Sequence, residues 1–553
     1  MNETARATVA NGPTRMEKIL NSIERIGNKV PNPVLMFVYL IAFIFVLSTI
    51  LDWIGVSVTE TIAEPVPVVT EQVYYGGSLF DVTLAEDYRD QEYEIKEVTI
   101  SIRGLLTLDG IQFIFTSFVP NFAGFSVVAV AFVAMLGAGA AEGAGMMDAL
   151  IRKLVASAPR SMITFLIVLV GGLSSVASDA GYLILIPLAA VAFMTLGRHP
   201  LAGLAAGFAG VAATFMVNII PQPTDALITE IANESILLIG GESLTVLNNY
   251  YFGVVSLFIM CLVATVLTEK VVEPRLGPWD RSLAGDDSGG AEGELSEEAR
   301  ADEARGLQYA LYGFLGTLAL VTLITAPPGA PLRHPETGDI LGATPFMDSL
   351  LFIIALFFLV SGVCYGIGAR TVKSADDVIA AITKTFSGMG GLILMFLMIA
   401  QFIAYFNYSN LPPVIAISLA EMLESANIGA IALMVGFIFV ILLLDFILPG
   451  ALPKWAIFAP IFIPVFARLD VAPQTLLAAY RVGDSPVNTL TPLMVYFPFI
   501  VTVAARYRKD VGIGTIISLM IPYAVVMGAV WIVLFILWFV LGIPWGPGYS
   551  VGT

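Results

Sequence analysis

Charge is scarce in this sequence: only 13% of its 553 residues are Asp, Glu, Lys or Arg, about half the share a soluble domain carries. Histidine is nearly missing. His199 and His334 are the only two, too few and too separated for a histidine-rich metal site. The two cysteines, Cys261 and Cys364, lie in or beside apolar stretches, which argues against a disulfide framework or a cysteine-based metal centre. No basic patch interleaved with aromatics is present, so nucleic-acid binding has no support. Residues 1–29 are polar and hold no apolar core of a cleavable signal peptide; the first apolar stretch, from about Pro31, is expected to stay as a helix.

Apolar residues are abundant, at 57% of the chain, with a mean hydropathy of +0.86. A bilayer-spanning helix needs about 20 predominantly apolar residues, and full spans are expected near 33–54, 124–153, 200–231, 250–270, 307–326, 344–368, 377–405, 474–505 and 512–541. Two other apolar segments, 161–197 and 429–468, are interrupted mid-length by GGLSSVASDAG (171–181) and LPGALPKW (448–455). Such half-helices are expected to enter and return as hairpins, since non-helical backbone at membrane depth survives only inside protein or beside a watery cavity. The fold class is therefore an all-α polytopic membrane protein with about nine transmembrane helices plus two re-entrant hairpins.

Basic residues in short loops set orientation. Arg6, Arg15, Lys18, Arg25 and Lys29 precede the first span, and Arg152, Lys153, Arg160, Arg198, Lys270, Arg275, Arg370, Lys373, Arg506, Arg508 and Lys509 fall on the same side. The N-terminus is expected in the cytoplasm and the membrane to be the bacterial inner membrane; Arg468 falls on the outer side, an exception to the pattern. The net charge of −17 resides mainly in two hydrophilic segments rather than in the membrane part. The expected organisation is a cytoplasmic N-terminus (1–32), then a first half (33–270) with a β-prone periplasmic insert (55–122) and repeat one (124–270). A cytoplasmic acidic linker (271–306) leads to a second half (307–553) with repeat two (377–541).

The repeat is legible directly. Residues 184–210 align without gaps to 457–483, an offset of 273, with nine identities in 27 positions. They include Pro187/Pro460, Pro200/Pro473 and Gly210/Gly483. The spans that follow the hairpins are five spans apart, an odd shift that reverses direction and makes the repeats inverted in topology. Secondary transporters are commonly built this way, with substrate sites at broken helices near the midplane.

Polar residues inside those breaks are the candidates for chemistry, because a carboxylate in an apolar span costs several kcal/mol. Asp179 follows Ser174, Ser175 and Ser178 at the first tip; it either caps the next half-helix or helps to cage an ion or substrate, and the roles are compatible. Asp484 lies in Arg481-Val-Gly-Asp-Ser485-Pro486-Val-Asn488, where Gly483 and Pro486 explain the break. Arg481, three residues before Asp484, either pairs with it structurally or gains and loses it during proton coupling. The matching break in repeat one offers Asn218 and, later, Asp225. At the second tip, Lys454 and Trp455 stand where the first has Gly181 and Tyr182. They either meet an anionic group and an aryl ring or anchor the membrane interface. Asp445, just before that tip, is a further candidate.

The stretches SSVASDAGYLILIPLAA (174–190), TEKVVEPRLG (268–277), PKWAIFAPIFIPVF (453–466) and AYRVGDSPVNTLTPLM (479–494) resemble the p-aminobenzoyl-glutamate transporter (AbgT) family, as does ERIGNKVPNPVLMF (24–37). The resemblance implies a homodimer in membrane lipid, nine helices and two hairpins per protomer. It also implies uptake of p-aminobenzoyl-glutamate or export of sulfonamide antimetabolites, coupled to H+ or Na+, with no cofactor. It implicates Asp179, Trp455, Asp484 and Pro486, with Arg481 nearby, and a sodium ion would lie near Asp179, Asp484 and Asn488. One departure is the second tip, Pro449-Gly-Ala-Leu-Pro453, which lacks the serine expected of the family. The alternatives are a sodium-coupled dicarboxylate symporter and, remotely, an intramembrane hydrolase using Ser174 or Ser178 with Lys454.

Overall fold

The computed structural model describes residues 33–551 except 66–70, 76–77, 83–92, 158, 176–180, 281–295, 341–343, 426–428, 447–449, 492 and 495. Among the described residues, seven helices are long and apolar enough to cross a bilayer: Val34–Ile54, Leu108–Gly143, Tyr250–Leu276, Glu297–Thr325, Leu350–Gly368, Gly390–Tyr408 and Ile513–Val540. Two further rods are broken mid-length, as the sequence predicts. The first runs as Pro200–Phe208, a π-helical turn at Ala209–Ala213, then Pro223–Leu238. The second runs as Pro473–Asp484, a 3-10 turn at Pro486–Thr489, then Phe497–Tyr507. Each rod opens on a proline, whose missing N–H costs nothing in the first turn of a helix.

Each broken rod follows a hairpin. The first hairpin has arms Ile163–Ser174 and Ile186–Thr195, the second Ala430–Asp445 and Ala451–Ala467. The two halves thus use the same parts in the same order. The paired glycines explain how each rod meets its hairpin. A Cβ on Gly210 would sit 2.8 Å from Val168 Cα, and one on Gly483 would sit 2.7 Å from Ile441 Cβ. Val168 and Ile441 are themselves 273 residues apart, so each glycine touches the same point of its own hairpin. Gly171 closes the first contact further, since its Cβ would lie 2.5 Å from the Gly210 backbone.

Between the long helices the packing device is also small residues. Lipid tails are as apolar as leucine, so helix association relies on close contact rather than on the hydrophobic effect. Helix Val127–Gly143 packs on Leu350–Gly368. There a Cβ on Gly137 would overlap the Ala355 carbonyl, and one on Gly362 would sit 2.6 Å from the Ala141 Cα.

Three expected boundaries differ. The segment 55–122 is β only as far as Ser101: Ser57–Pro65 pairs antiparallel with Tyr93–Ser101, and Glu71–Tyr75 with Ser78–Val82. Leu108–Ala123 is instead a helix, started by Thr107, whose hydroxyl accepts from Gly110 N–H at 3.1 Å. The span expected at 377–405 splits. Ala375–Gly388 is an amphipathic helix with exposed acids, and Gly390–Tyr408 is the apolar one. The linker expected at 271–306 is already helical from Glu297, capped by Ser296. Near the end of the chain, Trp545 is fully buried. Its indole donates to Thr475 Oγ1 at 2.7 Å, its carbonyl accepts from Tyr251 N–H at 3.0 Å, and its ring lies against Phe252 and Phe535. The tail therefore clasps the start of the second broken rod to helix Tyr250–Leu276.

Candidate functional site

In repeat one, the hairpin arm ends with Ser174 and Ser175 turning their hydroxyls back onto the carbonyls of Gly171 and Gly172, at 2.7 and 2.6 Å. Asn218, from the broken rod, donates to Gly172 O at 3.1 Å and to Ser175 Oγ at 3.0 Å, and accepts from Ile220 N–H. Asn218 therefore ties the break to the tip. Ser178 and Asp179 lie outside the described residues.

Repeat two gathers charge. Lys454, Asp445 and Asp484 are all at most 1% exposed. The Lys454 ammonium donates to Asp445 Oδ1 and lies 2.7 Å from Asp484 Oδ1. Tyr480, one helical turn before Asp484, donates to the Ala451 carbonyl at 2.5 Å and stands 3.4 Å from Asp484 Oδ1. Asn488 donates to the Asp484 carbonyl at 3.1 Å. Two readings of the tip are corrected here. Lys454 and Trp455 are both fully buried, so neither is an interfacial anchor. Nor does Trp455 present its face to a ligand: its indole N–H donates to Ile228 O at 2.8 Å, and its ring rests on Tyr480, centroids 4.6 Å apart.

Arg481 does not pair with Asp484. It binds Asp225 of repeat one, and also reaches Asn249 Oδ1 at 3.1 Å and the Met216 carbonyl at 3.2 Å. Ser485 accepts from Met216 N–H at 3.2 Å. Both residues stitch the two broken rods together beside a space of about 20 Å³ lined by Asn218, Asp225, Asn249 and Arg481. Asp225 is prepared for this by its other oxygen, which accepts from Gln222 N–H at 2.9 Å and caps helix Pro223–Leu238.

A much larger cavity, of about 380 Å³, lies where the tips and breaks converge, within the size range of small-molecule sites. Ser175 and Tyr182 come from the first hairpin, Gly450, Ala451 and Leu452 from the second. Phe215 and Thr224 come from one broken rod, Asn488 and Tyr496 from the other. Tyr182 and Tyr496 stack directly on each other at its wall, centroids 4.6 Å apart and planes 10° from parallel. Two helices, Pro223–Leu238 and Ala451–Ala467, start at its wall. Of the residues singled out in the sequence, Ser175 and Asn488 line this cavity, Asp484 and Lys454 sit one layer behind it, and Pro486 forms the break, packed near Gly528.

The sequence profile of the AbgT transporter family matches residues 18–552. The chain belongs to this family. This AbgT protein is 30% identical over 532 residues to the p-aminobenzoyl-glutamate transport protein of Escherichia coli K12, with 96% of each chain covered. Its fold matches the crystal structure of the Alcanivorax borkumensis YdaH transporter, described as having an unusual topology. The TM-score is 0.81 and the identity 32%, over 94% of this chain and 100% of that one. It also matches Neisseria gonorrhoeae MtrF, presented as illuminating a class of antimetabolite efflux pumps. There the TM-score is 0.82 and the identity 35%, over 96% and 99%. The AbgT chain is thus a multi-pass membrane transporter.

Tyr480 and Tyr496 were not singled out from the sequence. For Tyr480 a signal exists, since residues four apart share a helix face and Tyr480 precedes Asp484 by four. For Tyr496 none does: its partner Tyr182 is brought to it only by the fold.

Proposed function

We propose that this protein is a secondary active transporter of p-aminobenzoyl-glutamate or a related aromatic carboxylate, with sulfonamide antimetabolites as a second cargo, driven by a proton or sodium gradient. The cavity between the hairpin tips carries the reading. Its stacked Tyr182–Tyr496 pair is suited to an aryl ring, which prefers offset stacking on another ring. The N-terminal ends of Pro223–Leu238 and Ala451–Ala467 at its wall favour carboxylates, because the positive end of a helix dipole attracts anions. An amino-benzoyl dicarboxylate offers one ring and two anionic groups, the same inventory. Hairpins meeting across one site suit alternating access. The names of the Escherichia coli and Neisseria gonorrhoeae relatives point to the same cargo. The reading takes the protein as a homodimer in the bacterial inner membrane with a cytoplasmic N-terminus.

A sodium–dicarboxylate symporter fits less well, since the second tip brings Gly450, Ala451 and Leu452 to the cavity and no hydroxyl. A hydrolase fits poorly: Ser174 donates to a carbonyl, and Lys454 is held by two carboxylates.

The test is flux of labelled p-aminobenzoyl-glutamate and a sulfonamide in proteoliposomes under imposed proton and sodium gradients. Flux should follow at least one gradient; no response to either overturns the proposal. Tyr182→Ala and Tyr496→Ala should each weaken apparent affinity about three- to tenfold, the worth of an aromatic contact. Asp179→Asn and Asp484→Asn should abolish gradient-driven flux, and wild-type rates in both would remove those residues from the site.

A further inference from the structure

The charged cluster of repeat two is not required by its scaffold. At the offset of 273, Asp445, Lys454 and Asp484 correspond to Gly172, Gly181 and Val211 of repeat one. The neighbour relation is the same there without charge, because a Cβ on Gly181 would sit 3.1 Å from Val211 Cγ1. One half thus builds the junction of tip and break from small and apolar groups. The other places two carboxylates and an ammonium in it.

Those three charges do not balance. With both carboxylates ionised, the ammonium leaves one net negative charge at a site no more than 1% exposed, and an uncompensated buried charge costs several kcal/mol. The imbalance has an address. Asp445 Oδ2 and Asp484 Oδ2 are both buried with no hydrogen-bond partner among the described residues. Among the described residues, Lys454 is the only cation in direct contact with either. Tyr480 is the other titratable group facing the cluster, and Arg481, on the same helix, is turned away to Asp225. Lys454 occupies the point between two carboxylates that a hard, oxygen-seeking cation would otherwise fill.

Resting on the coupled-transport reading above, we propose that Lys454 is a built-in cation standing in the place of sodium, so that the cluster exchanges one proton and the transporter works without sodium. A proton from water on one side adds to a free Oδ2, taking the cluster from one negative charge to none. Its release to the other side restores the charge. The link to cargo is short: Tyr480 holds the Ala451 carbonyl, Asn488 holds the Asp484 carbonyl, and both Ala451 and Asn488 line the cavity.

The experiment compares melting of the purified full chain, wild type and Lys454→Met, with sodium exchanged for choline at constant ionic strength. Wild type should be indifferent. In Lys454→Met the vacated position should take sodium, raising Tm by about 2 °C or more as a ligand bound only to the folded state does. A wild-type Tm that rises with sodium overturns the proposal, and so does a folded Lys454→Met that ignores it. Should Lys454→Met fail to fold, wild-type proteoliposomes without sodium on either side decide the matter: flux must follow the pH gradient, and its loss in the absence of sodium overturns the proposal. The melting measurement uses no substrate. Absence of p-aminobenzoyl-glutamate flux under every gradient would therefore strike the cargo reading alone.

Discussion

Arg481 and Asp225 face each other from opposite repeats, 256 positions apart, both with little exposure. Removing one partner of such a pair strands a buried charge, at a cost of about 3–5 kcal/mol, whereas replacing both with apolar groups of similar volume is often neutral. Asp225→Asn is therefore expected to lower Tm markedly, and Arg481→Met combined with Asp225→Leu to recover much of it. Equal losses in the single and double variants would contradict the ion-pair account. Sequence spacing offers an Arg481–Asp484 pair as one reading, whereas in this structure Arg481 is held by Asp225. Spacing on one helix reports only local neighbours, and here Asp484 is taken by Lys454 from the hairpin while Arg481 reaches into the other half. Asp445 and Lys454, nine residues apart across the tip, were visible as charges in apolar sequence, but their meeting needed the hairpin to close.

Helices, hairpins and breaks were largely legible, because apolar length and Gly/Pro interruption report them directly. Gly210 and Gly483 were read as the mark of a repeat; their physical cause is backbone contact with Val168 and Ile441. Gly483→Val should then force the rod off its hairpin, at about 1–3 kcal/mol for overpacking, seen as reduced folded yield and lower Tm. Ala375–Gly388 was absorbed into a span because its exposed acids are few against the apolar run after it. Its start is a capping box in which Asp377 accepts from the N–H groups of Lys373 and Ser374 at 2.8 and 2.9 Å. These bonds hold the Asp377 carboxyl below the ordinary carboxylate range. A depressed folded-state pKa gives stability that is present above the unfolded value and lost as pH falls through the folded one. The protection of the Lys373 and Ser374 amides, measured relative to their intrinsic exchange rates, should fall on acidification into that range. In Asp377→Asn it should be low already at neutral pH.

Over the whole molecule, polar links such as Asn121–Gln401, Thr268–Tyr523, Arg481–Asp225 and Trp531–Ser256 join the two halves, and the tail adds a clasp. Trp545 fills a buried slot between Phe252 and Phe535 and bonds to both Thr475 and Tyr251. Trp545→Ala should cost about 3–5 kcal/mol, the range for a large buried aromatic. A Tm within error of wild type would show that the clasp is dispensable. None of this was foreseen, since a tail beyond the last span carries no periodic signal.

Trp455 packs against Tyr480 with the ring planes tilted by 37°, and the Tyr480 hydroxyl stands beside Asp484. Indole emission responds to the electric field across the ring, so this residue is a native optical probe. Addition or removal of a single charge at its side should move its emission wavelength, and the carrier state becomes readable by fluorescence without a label.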